Sequence, residues 1–378
     1  MVGPGRNGVT APKSSGGVAS VQLLSQSAVF SASLFIPLFA RSLGAGDFEV
    51  GAIVSLYGLA GFLSQYIFGR AADVYGVRAF LLAGLLLSAV AAPVQALARD
   101  PLQLSAARFL TGFVAGIYPP ALLAYVHSTG RGMGRAVSWG SLGWGVGTMV
   151  AGLLAAYWRV FAASAALFAL AFLAALHLPA ARERRVSVPF FPVDVIRANL
   201  PVYSALLIRH IGASAIWATL PIYMSQLGAS SLDIGALYAL NAFAQFLVMY
   251  NLDRFPSAPL FLAGLVLSSL TFAVFALVRS VWLFAIPQLM IGVAWSCLYV
   301  GGLRFVAERR AEVATSTGLV GSVVSLSGIF GPALGGLVSG ASGNYTTMML
   351  LASAMTLLAT GIYAHQLARN GIRLTGGG

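Results

Sequence analysis

The sequence predicts an all-α membrane protein in which twelve transmembrane helices form two six-helix bundles related by pseudo-twofold symmetry. Composition is the first observation: 58% of the 378 residues are hydrophobic and 8% are charged, whereas a soluble domain carries roughly 25% charged residues. The second is the length of the apolar runs, about 20 residues or more, which is what a helix needs to cross a bilayer. The third is an internal duplication. Together these observations exclude a water-soluble fold.

The duplication consists of matched segments about half a chain apart. Residues 36–44 (IPLFARSLG) correspond to residues 220–228 (LPIYMSQLG), 184 positions later. Residues 84–88 correspond to residues 264–268 at a shift of 180. Because both copies are apolar, each is expected to form a helical bundle, and a binding site is expected between the two bundles.

The apolar runs place six spans in each half. Spans 1 to 6 are predicted at 18–42, 48–68, 78–98, 102–126, 134–157 and 160–179. Spans 7 to 12 are predicted at 200–226, 232–251, 257–278, 282–303, 312–340 and 345–367. The expected organisation is a flexible cytoplasmic tail, a first bundle, a cytoplasmic linker, a second bundle and a C-terminal tail, at 1–17, 18–179, 180–199, 200–368 and 369–378.

Lys and Arg residues are concentrated on one face of the predicted bundles, in the turns after even-numbered spans, in the linker and in both tails. The opposite face holds Arg41, Arg99, Arg159 and Arg279. By the positive-inside rule, this bias predicts a multi-pass protein of the cytoplasmic membrane with both termini in the cytoplasm. The scattered basic residues account for the net charge of +12, so we expect no nucleic-acid partner.

The sequence carries no pattern typical of an enzyme or a cofactor site. Cys297 is the single cysteine, which excludes an internal disulfide and a cysteine metal cluster. The sequence contains no Ser-His-Asp set, no metal-spaced histidine cluster and no phosphate-binding loop of a soluble α/β unit. We therefore expect a protein that is not an enzyme and holds no cofactor or metal.

Four segments carry a family resemblance. Residues 69–78 (GRAADVYGVR) resemble the loop signature of the major facilitator superfamily, and residues 108–112 (RFLTG) resemble its second motif. Residues 143–152 (GWGVGTMVAG) and 331–336 (GPALGG) resemble its glycine-rich motif in the two halves. The resemblance implies a secondary transporter, monomeric as is usual in the family, whose halves alternate access to a central site.

The first of these segments is the expected cytoplasmic gate. Gly69 and Gly76 permit a tight turn, and Asp73 is expected to pair with Arg78 or Arg135. In the family this loop acts as a latch that closes the cytoplasmic side. A simple hairpin with a solvated aspartate is the alternative interpretation.

The duplicate of this loop keeps an aspartate and loses both glycines. Asp253 is followed by Arg254, and its expected partners are Arg309 and Arg310 before span 11. We therefore expect a second gating contact on the same face.

Small residues on spans 5 and 11 are expected to let helices approach closely, as they do in membranes. Pro332 removes a backbone donor and is expected to bend span 11. The predicted helix-packing residues are Gly143, Gly147, Gly152, Gly331, Pro332 and Gly335.

Polar and aromatic side chains within the spans are the binding candidates, because the resemblance implies that spans 1, 4, 7 and 10 line a central cavity. Charged groups in a membrane are costly and mark functional sites. Arg108 lies about two turns into span 4, and its duplicate position is Gln288. The alternatives are a structural or gating role for Arg108, snorkelling of Arg209 to the surface, a packing role for His210 and simple aromatic packing. The predicted binding residues are Gln26, Arg108, Arg209, His210, Trp217, Asn241, Gln245, Gln288, Trp295 and Tyr299.

None of the ten acidic residues lies in the middle of a span. A cavity with two arginines and no carboxylate has a positive potential, which favours an anion. The first hypothesis is therefore a carrier of a small organic anion, with a proton or counter-anion as a further partner and the lipid bilayer as its surroundings. The alternative is a proton-coupled exporter of hydrophobic compounds that uses Arg108, His210 and the aromatic side chains. A non-transporting sensor with this fold is the third hypothesis.

Overall fold

A computed structural model describes residues 15–34, 36–45, 47–130, 132–154, 156–179, 188–342, 344–369 and 371. The regular elements of this part of the chain are all helices. Most of the predicted N-terminal tail, much of the predicted linker and nearly all of the predicted C-terminal tail lie outside the described residues.

The helices follow the twelve predicted spans. Spans 1 to 6 comprise Ser15–Leu34 with Ile36–Ser42, Asp47–Tyr75, Val77–Ala91 with a 3-10 turn Ala92–Leu97, Pro101–Ala115 with Tyr118–Ser128, Met133–Leu154, and Tyr157–Leu176. Spans 7 to 12 comprise Val193–Gln226, Ser231–Met249, Ser257–Leu277, a 3-10 turn Val281–Phe284 with Ala285–Arg309, Val313–Ser342, and Tyr345–Arg369. A short 3-10 turn, Leu252–Arg254, connects spans 8 and 9.

Eight helices of the described chain are long and apolar enough by themselves to cross a membrane, and Asp233–Met249 in span 8 is a shorter apolar helix. Spans 1, 5 and 7 complete the set of twelve. The prediction of an all-helical, twelve-span membrane protein is confirmed.

Span 7 differs from its prediction because its helix begins at Val193, seven residues before residue 200 and inside the predicted linker. Val195 is 3% exposed and Asn199 is fully buried, whereas Asp194 and Arg197 are exposed. This added stretch therefore has one packed face and one polar face, a pattern that stabilises a helix at the edge of a bundle.

Span 4 is interrupted at Gly116 and Ile117, between its two helical segments. Pro119 and Pro120 cause the interruption, because neither can donate the backbone hydrogen bond that would continue the helix to the carbonyl four residues earlier. Residues on both sides of this break line the central cavity described below.

The duplication is visible in the backbone. Span 1 and span 7 each end in a glycine with φ of 90°, Gly44 and Gly228. In both copies the following residue returns a hydrogen bond of 3.0 Å: Ala45 donates to the Ala40 carbonyl and Ala229 to the Met224 carbonyl. Only glycine adopts this left-handed conformation without cost, and here it closes the helix end.

Glycines hold span 5 against span 1 and span 11 against span 7. A Cβ atom added to Gly143 would lie 2.5 Å from the Leu23 carbonyl oxygen, and one added to Gly331 would lie 2.7 Å from that of Ile211. Gly147 and Gly335 make equivalent approaches, 2.5 Å from the Ser27 oxygen and 2.7 Å from the Ala215 oxygen.

The other two predicted packing residues also lie within helices. Pro332 lies inside the uninterrupted helix Val313–Ser342. Gly152 lies in the helix of span 5, but its surroundings fall outside what the structure describes.

The two halves meet mainly through span 2 against span 11 and span 5 against span 8. A Cβ atom on Gly69 would lie 2.7 Å from the Ala314 oxygen, and one on Gly134 would lie 2.5 Å from the Met249 oxygen. These four residues lie at the end of the bundle where Arg70, Arg78, Arg135, Arg254 and Arg304 are found, which we call the arginine-rich end.

Candidate functional site

A cavity of about 640 Å³ lies between the two halves. Spans 1, 2, 4 and 5 line one side of it, and spans 7, 8, 10 and 11 line the other. Its described lining is rich in amides and aromatic rings, and it includes Arg209 and His210 but no carboxylate. The principal amide and aromatic residues are Gln22, Gln26, Phe30, Tyr57, Gln65, Trp144, Trp217, Tyr238, Asn241, Gln245, Trp295 and Tyr299.

Arg209 is the largest fully buried side chain of the described protein, at 1% exposure. Its Nε and Nη2 atoms donate to Ser268 Oγ at 3.1 and 3.0 Å. The guanidinium carbon lies 5.1 Å from the ring centre of Phe272 and 5.4 Å from that of Trp295. No described carboxylate pairs with it. The positive charge is therefore fixed at the cavity wall and does not snorkel to the surface.

His210 extends this basic group into a stack of rings. Arg209 Nη1 lies 3.1 Å from His210 Nδ1, and because a guanidinium only donates, Nδ1 must accept. The proton of a neutral imidazole then lies on Nε2. The imidazole centre is 5.0 Å from Trp295, which stacks on Tyr299 at 5.0 Å with an interplanar angle of 15°. The result is a continuous aromatic wall beside one cation.

Arg108 occupies a different place from the one expected. Its side chain is 3% exposed and lies behind Tyr57, whose ring centre is 4.0 Å from the guanidinium carbon. Nη1 donates to Gln95 Oε1 at 3.2 Å. Arg108 therefore faces the interior of its own half, lining a second, small cavity and not the central one. The motif shows its depth in the membrane but not which face of span 4 it occupies.

Gln288, the duplicate of Arg108, is likewise absent from the described lining of the central cavity. It is fully buried and accepts a hydrogen bond of 3.0 Å from Asn241 Nδ2. Asn241 follows Tyr57 by the 184-residue shift. The contact between spans 2 and 4 is thus repeated between spans 8 and 10. In the first half it joins the Arg108 guanidinium to the Tyr57 ring, and in the second half it joins two amides.

The remaining predicted binding residues line the cavity. Gln26 Nε2 lies 3.5 Å from the Tyr118 hydroxyl, and the ring of Trp217 packs 5.5 Å from Tyr238. Gln245 donates to Asn241 Oδ1 at 2.9 Å and accepts from Ser141 of the other half at 3.2 Å.

The cavity lining also includes Trp144, Ser141 and Ser325, which are not among the predicted binding residues. Trp144 faces Phe30 with ring centres 5.6 Å apart, and Gln65 donates to Ser325 Oγ at 3.2 Å. Ser141 and Ser325 are related by the 184-residue shift. Their matched positions on spans 5 and 11, the helices that contact the other half, were the signal that could have identified both serines.

At the arginine-rich end, Asp73 binds the N-terminus of span 11. Oδ1 accepts from Ala314 N at 3.1 Å, while Oδ2 accepts from Thr315 N at 2.7 Å and from Thr315 Oγ1 at 2.6 Å. The expected partners were Arg78 or Arg135. A helix N-terminus carries free N–H groups and a partial positive charge, so it stabilises a carboxylate as an arginine would.

Asp253 makes the reciprocal contact with span 5. Its carboxylate accepts from Gly134 N at 2.7 Å and from Arg135 N at 3.0 Å. The expected partners were Arg309 and Arg310. Instead, the Arg309 guanidinium lies over the Phe305 ring at 4.7 Å, and Arg310 donates to the Asp194 carbonyl.

The other predicted gating residues surround these two contacts. Arg78 donates to the carbonyls of Leu176 and Leu178 at 3.0 and 2.8 Å. The Arg254 guanidinium lies 5.0 Å from the Phe255 ring centre. Gly76, at φ of 118°, precedes the first helical residue of span 3. Each half therefore contributes one aspartate that caps a helix of the other half.

The fold and this arrangement of two duplicated bundles about a shared cavity are those of a secondary transporter. The family model described as Major Facilitator Superfamily matches residues 18–198 and 202–369. The chain belongs to that family. It is a multi-pass membrane protein of a transporter family.

Among curated relatives, the chain is similar to the "Multi-drug resistance efflux pump PmrA homolog" of Lactococcus lactis subsp. lactis (strain IL1403), with 35% identity over 102 residues, 27% of this chain and 25% of that protein. It is 27% identical over 124 residues to the "Uncharacterized MFS-type transporter MJ1560" of Methanocaldococcus jannaschii, covering 31% of this chain and 32% of that protein. The matches thus span a quarter to a third of these relatives.

Solved structures resemble the whole fold. The human organic anion transporter MFSD10 (TETRAN) superposes with a TM-score of 0.78 at 18% identity, covering 92% of this chain and 98% of that one. A point mutant of the nucleoside transporter NupG gives a TM-score of 0.66 at 15% identity, with the same coverage. At these identities the similarity concerns the fold alone.

Proposed function

We propose that the protein carries a small organic anion across the cytoplasmic membrane by alternating access, with Arg209 as the charge partner of the substrate. One observation supports this most directly: the central cavity presents a buried guanidinium and, in its described lining, no carboxylate. A cation in such a site attracts an anion and repels a second cation.

The contacts of Arg209 suggest how an anion would bind. Two of its donor atoms are held by Ser268, whereas Nη1 meets His210, a neutral and weaker acceptor than a carboxylate. A substrate carboxylate replaces His210 at Nη1, and a hydrogen bond to a charged group contributes about 1.5–3 kcal/mol. The rings of Trp295 and Tyr299 then contact the planar body of the substrate.

The gate contacts support a mechanism in which the halves rock about the cavity. Asp73 and Asp253 join the halves at the arginine-rich end, which the positive-inside rule assigns to the cytoplasm. These two contacts support a state in which that end is closed, and we propose that substrate enters such a state from the opposite side. Release to the cytoplasmic side requires both helix caps to break.

Uptake into liposomes tests this proposal. The purified protein is reconstituted and exchange is measured with aromatic and aliphatic carboxylates, neutral sugars and cationic compounds. We expect exchange of at least one carboxylate, and at least a tenfold loss in Arg209→Gln. Arg159→Gln removes an exposed charge of the same type and should transport normally. Unchanged carboxylate exchange in Arg209→Gln, or exchange of cations alone, would reject the proposal.

A proton-coupled exporter of hydrophobic compounds is the second candidate. The aromatic lining of the cavity favours it, as does the efflux pump named among the relatives. Since Arg108 lies behind Tyr57, His210 is the group of this hypothesis that would exchange a proton in the cavity. Transport of a hydrophobic dye that follows an imposed pH gradient, and loses that dependence in His210→Gln, would favour this candidate.

A further inference from the structure

A second cavity of about 20 Å³ lies inside the N-terminal half, beside Arg108. Residues from spans 1, 2, 3, 4 and 6 line it, so it is built from one half alone. Tyr57, Val29 and Ala115 line both this cavity and the central one. These three side chains are therefore the wall between the two cavities. The volume suits one monoatomic ion or about one to two water molecules.

The Arg108 guanidinium in this cavity has no counter-charge among the described residues. Arg108 is 3% exposed, and its contacts among the described residues are Gln95 Oε1 and the face of Tyr57. Its Nε atom is buried and has no acceptor among those residues. A buried charge that is not paired is strongly unfavourable, and a ring face compensates for only part of that cost.

The polar neighbours cannot supply the missing negative charge. Ser88, Thr111 and Ser164 each donate their hydroxyl proton to a main-chain carbonyl, at 2.7, 2.9 and 2.8 Å. Gln95 Nε2 donates to the Ala92 carbonyl at 3.1 Å. These groups are neutral and their protons are already bonded to main-chain carbonyls, Ser164 to span 1 and the others within their own spans, so they leave the charge of Arg108 uncompensated.

We propose that Arg108 binds a halide-sized monovalent anion, chloride under physiological conditions, in this cavity behind Tyr57. The small volume excludes phosphate, sulfate and any organic substrate. The duplicate position needs no such ion, since Gln288 is neutral and already bonded to Asn241. The ion neutralises the charge of Arg108, whatever binds at Arg209. This inference therefore does not rest on the proposed function.

Thermal unfolding in detergent tests the site. The melting temperature is compared in sodium chloride and sodium gluconate at equal ionic strength, because gluconate is too large for the cavity. We expect chloride to raise it by about 2–4 °C at saturation. Arg108→Gln, which installs the residue of the duplicate position, should remove the difference between the two salts, and the matched surface variant Arg159→Gln should keep it.

Anomalous diffraction from crystals of the unmodified protein soaked in sodium bromide gives a direct answer, even if Arg108→Gln does not fold. A bromide peak within about 4 Å of the Arg108 guanidinium supports the proposal, since ion pairs form within that distance. Density at that position without an anomalous signal would identify a water molecule and overturn it. Equal melting temperatures of the unmodified protein in chloride and gluconate would overturn it as well.

Discussion

Asp73 of span 2 and Thr315 of span 11 are joined by two hydrogen bonds to a single carboxylate oxygen, 2.7 Å from the backbone nitrogen and 2.6 Å from the side-chain hydroxyl. The bonded groups belong to different halves of the molecule. Asp253 repeats the relationship with the backbone of Gly134 and Arg135. The halves are thus held together at one end by two carboxylates, each at the start of a helix of the other half.

Replacing Asp73 with Asn should weaken the closed state at the arginine-rich end. The amide retains the size of the carboxylate, but it loses the charge that favours the helix N-terminus and one of the two acceptor oxygens. We expect a loss of about 1–2 kcal/mol in the free energy that holds this end closed. Double electron–electron resonance between spin labels at the arginine-rich ends of spans 2 and 11 should show a larger share of long label-to-label distances.

Asp194→Asn is the matched control for that experiment. Asp194 is an exposed carboxylate in the first turn of span 7, and its main-chain carbonyl, which accepts from Arg310, is retained in the variant. Its distance distribution should equal that of the unmodified protein. An unchanged distribution in Asp73→Asn would show that the cap does not hold the closed state.

A methyl group at Gly147 should destabilise the packing of span 5 on span 1. The added Cβ would lie 2.5 Å from the Ser27 carbonyl oxygen, which is backbone and cannot move aside. We expect Gly147→Ala to cost about 1–3 kcal/mol and to lower the melting temperature in detergent.

Gly145→Ala tests whether that cost comes from the close approach. It changes the same helix two residues away, where the new Cβ would meet Ala242 at an ordinary 3.7 Å. Its melting temperature should stay at or above that of the unmodified protein, because alanine favours a helix over glycine. Equal losses in the two variants would mean that span 5 tolerates no change at all, and that the Ser27 contact is not the cause.

The fold followed from the sequence because lipid imposes simple rules. Apolar runs of sufficient length must be helices, and repeated runs must be repeated bundles. The duplication even anticipates fine geometry, since Gly44 and Gly228 share one backbone angle. The helical start of span 7 at Val193 was missed because Asp194, Arg197 and Asn199 interrupt its apolar residues. Its stability comes from tertiary packing, which a hydropathy pattern does not record.

The site was predicted less completely, for two physical reasons. The sequence gives the depth of a residue along a helix, but not the direction in which its side chain points. Arg108 contacts Tyr57 inside its own half, whereas Arg209 lines the central cavity. The partner of Asp73 was missed because backbone N–H groups at a helix start have no residue type. Charge complementarity alone therefore favours arginines as the partners.

Replacing His210 with Phe should strengthen the binding of a substrate carboxylate if Arg209 is its partner. The variant keeps a ring beside Trp295 but removes the Nδ1 acceptor that occupies Arg209 Nη1 at 3.1 Å. The substrate no longer competes with that acceptor. We expect a dissociation constant about five- to tenfold lower by isothermal titration, because one hydrogen bond contributes about 1 kcal/mol. Weaker binding would show that His210 itself contacts the substrate.

Replacing Trp295 with Leu should separate aromatic from aliphatic substrates. Trp295 joins His210 and Tyr299, with both ring centres 5.0 Å away, and lies 5.4 Å from the Arg209 guanidinium. Loss of an aromatic pair removes about 0.5–1.5 kcal/mol of binding free energy in addition to that of the lost buried area. We expect the KM for an aromatic carboxylate to rise about three- to tenfold while that for an aliphatic carboxylate changes little. Trp158, at 63% exposure, provides the control: Trp158→Leu should leave both KM values unchanged. Equal increases for the two substrates in Trp295→Leu would indicate that the ring positions Arg209 and does not contact the substrate.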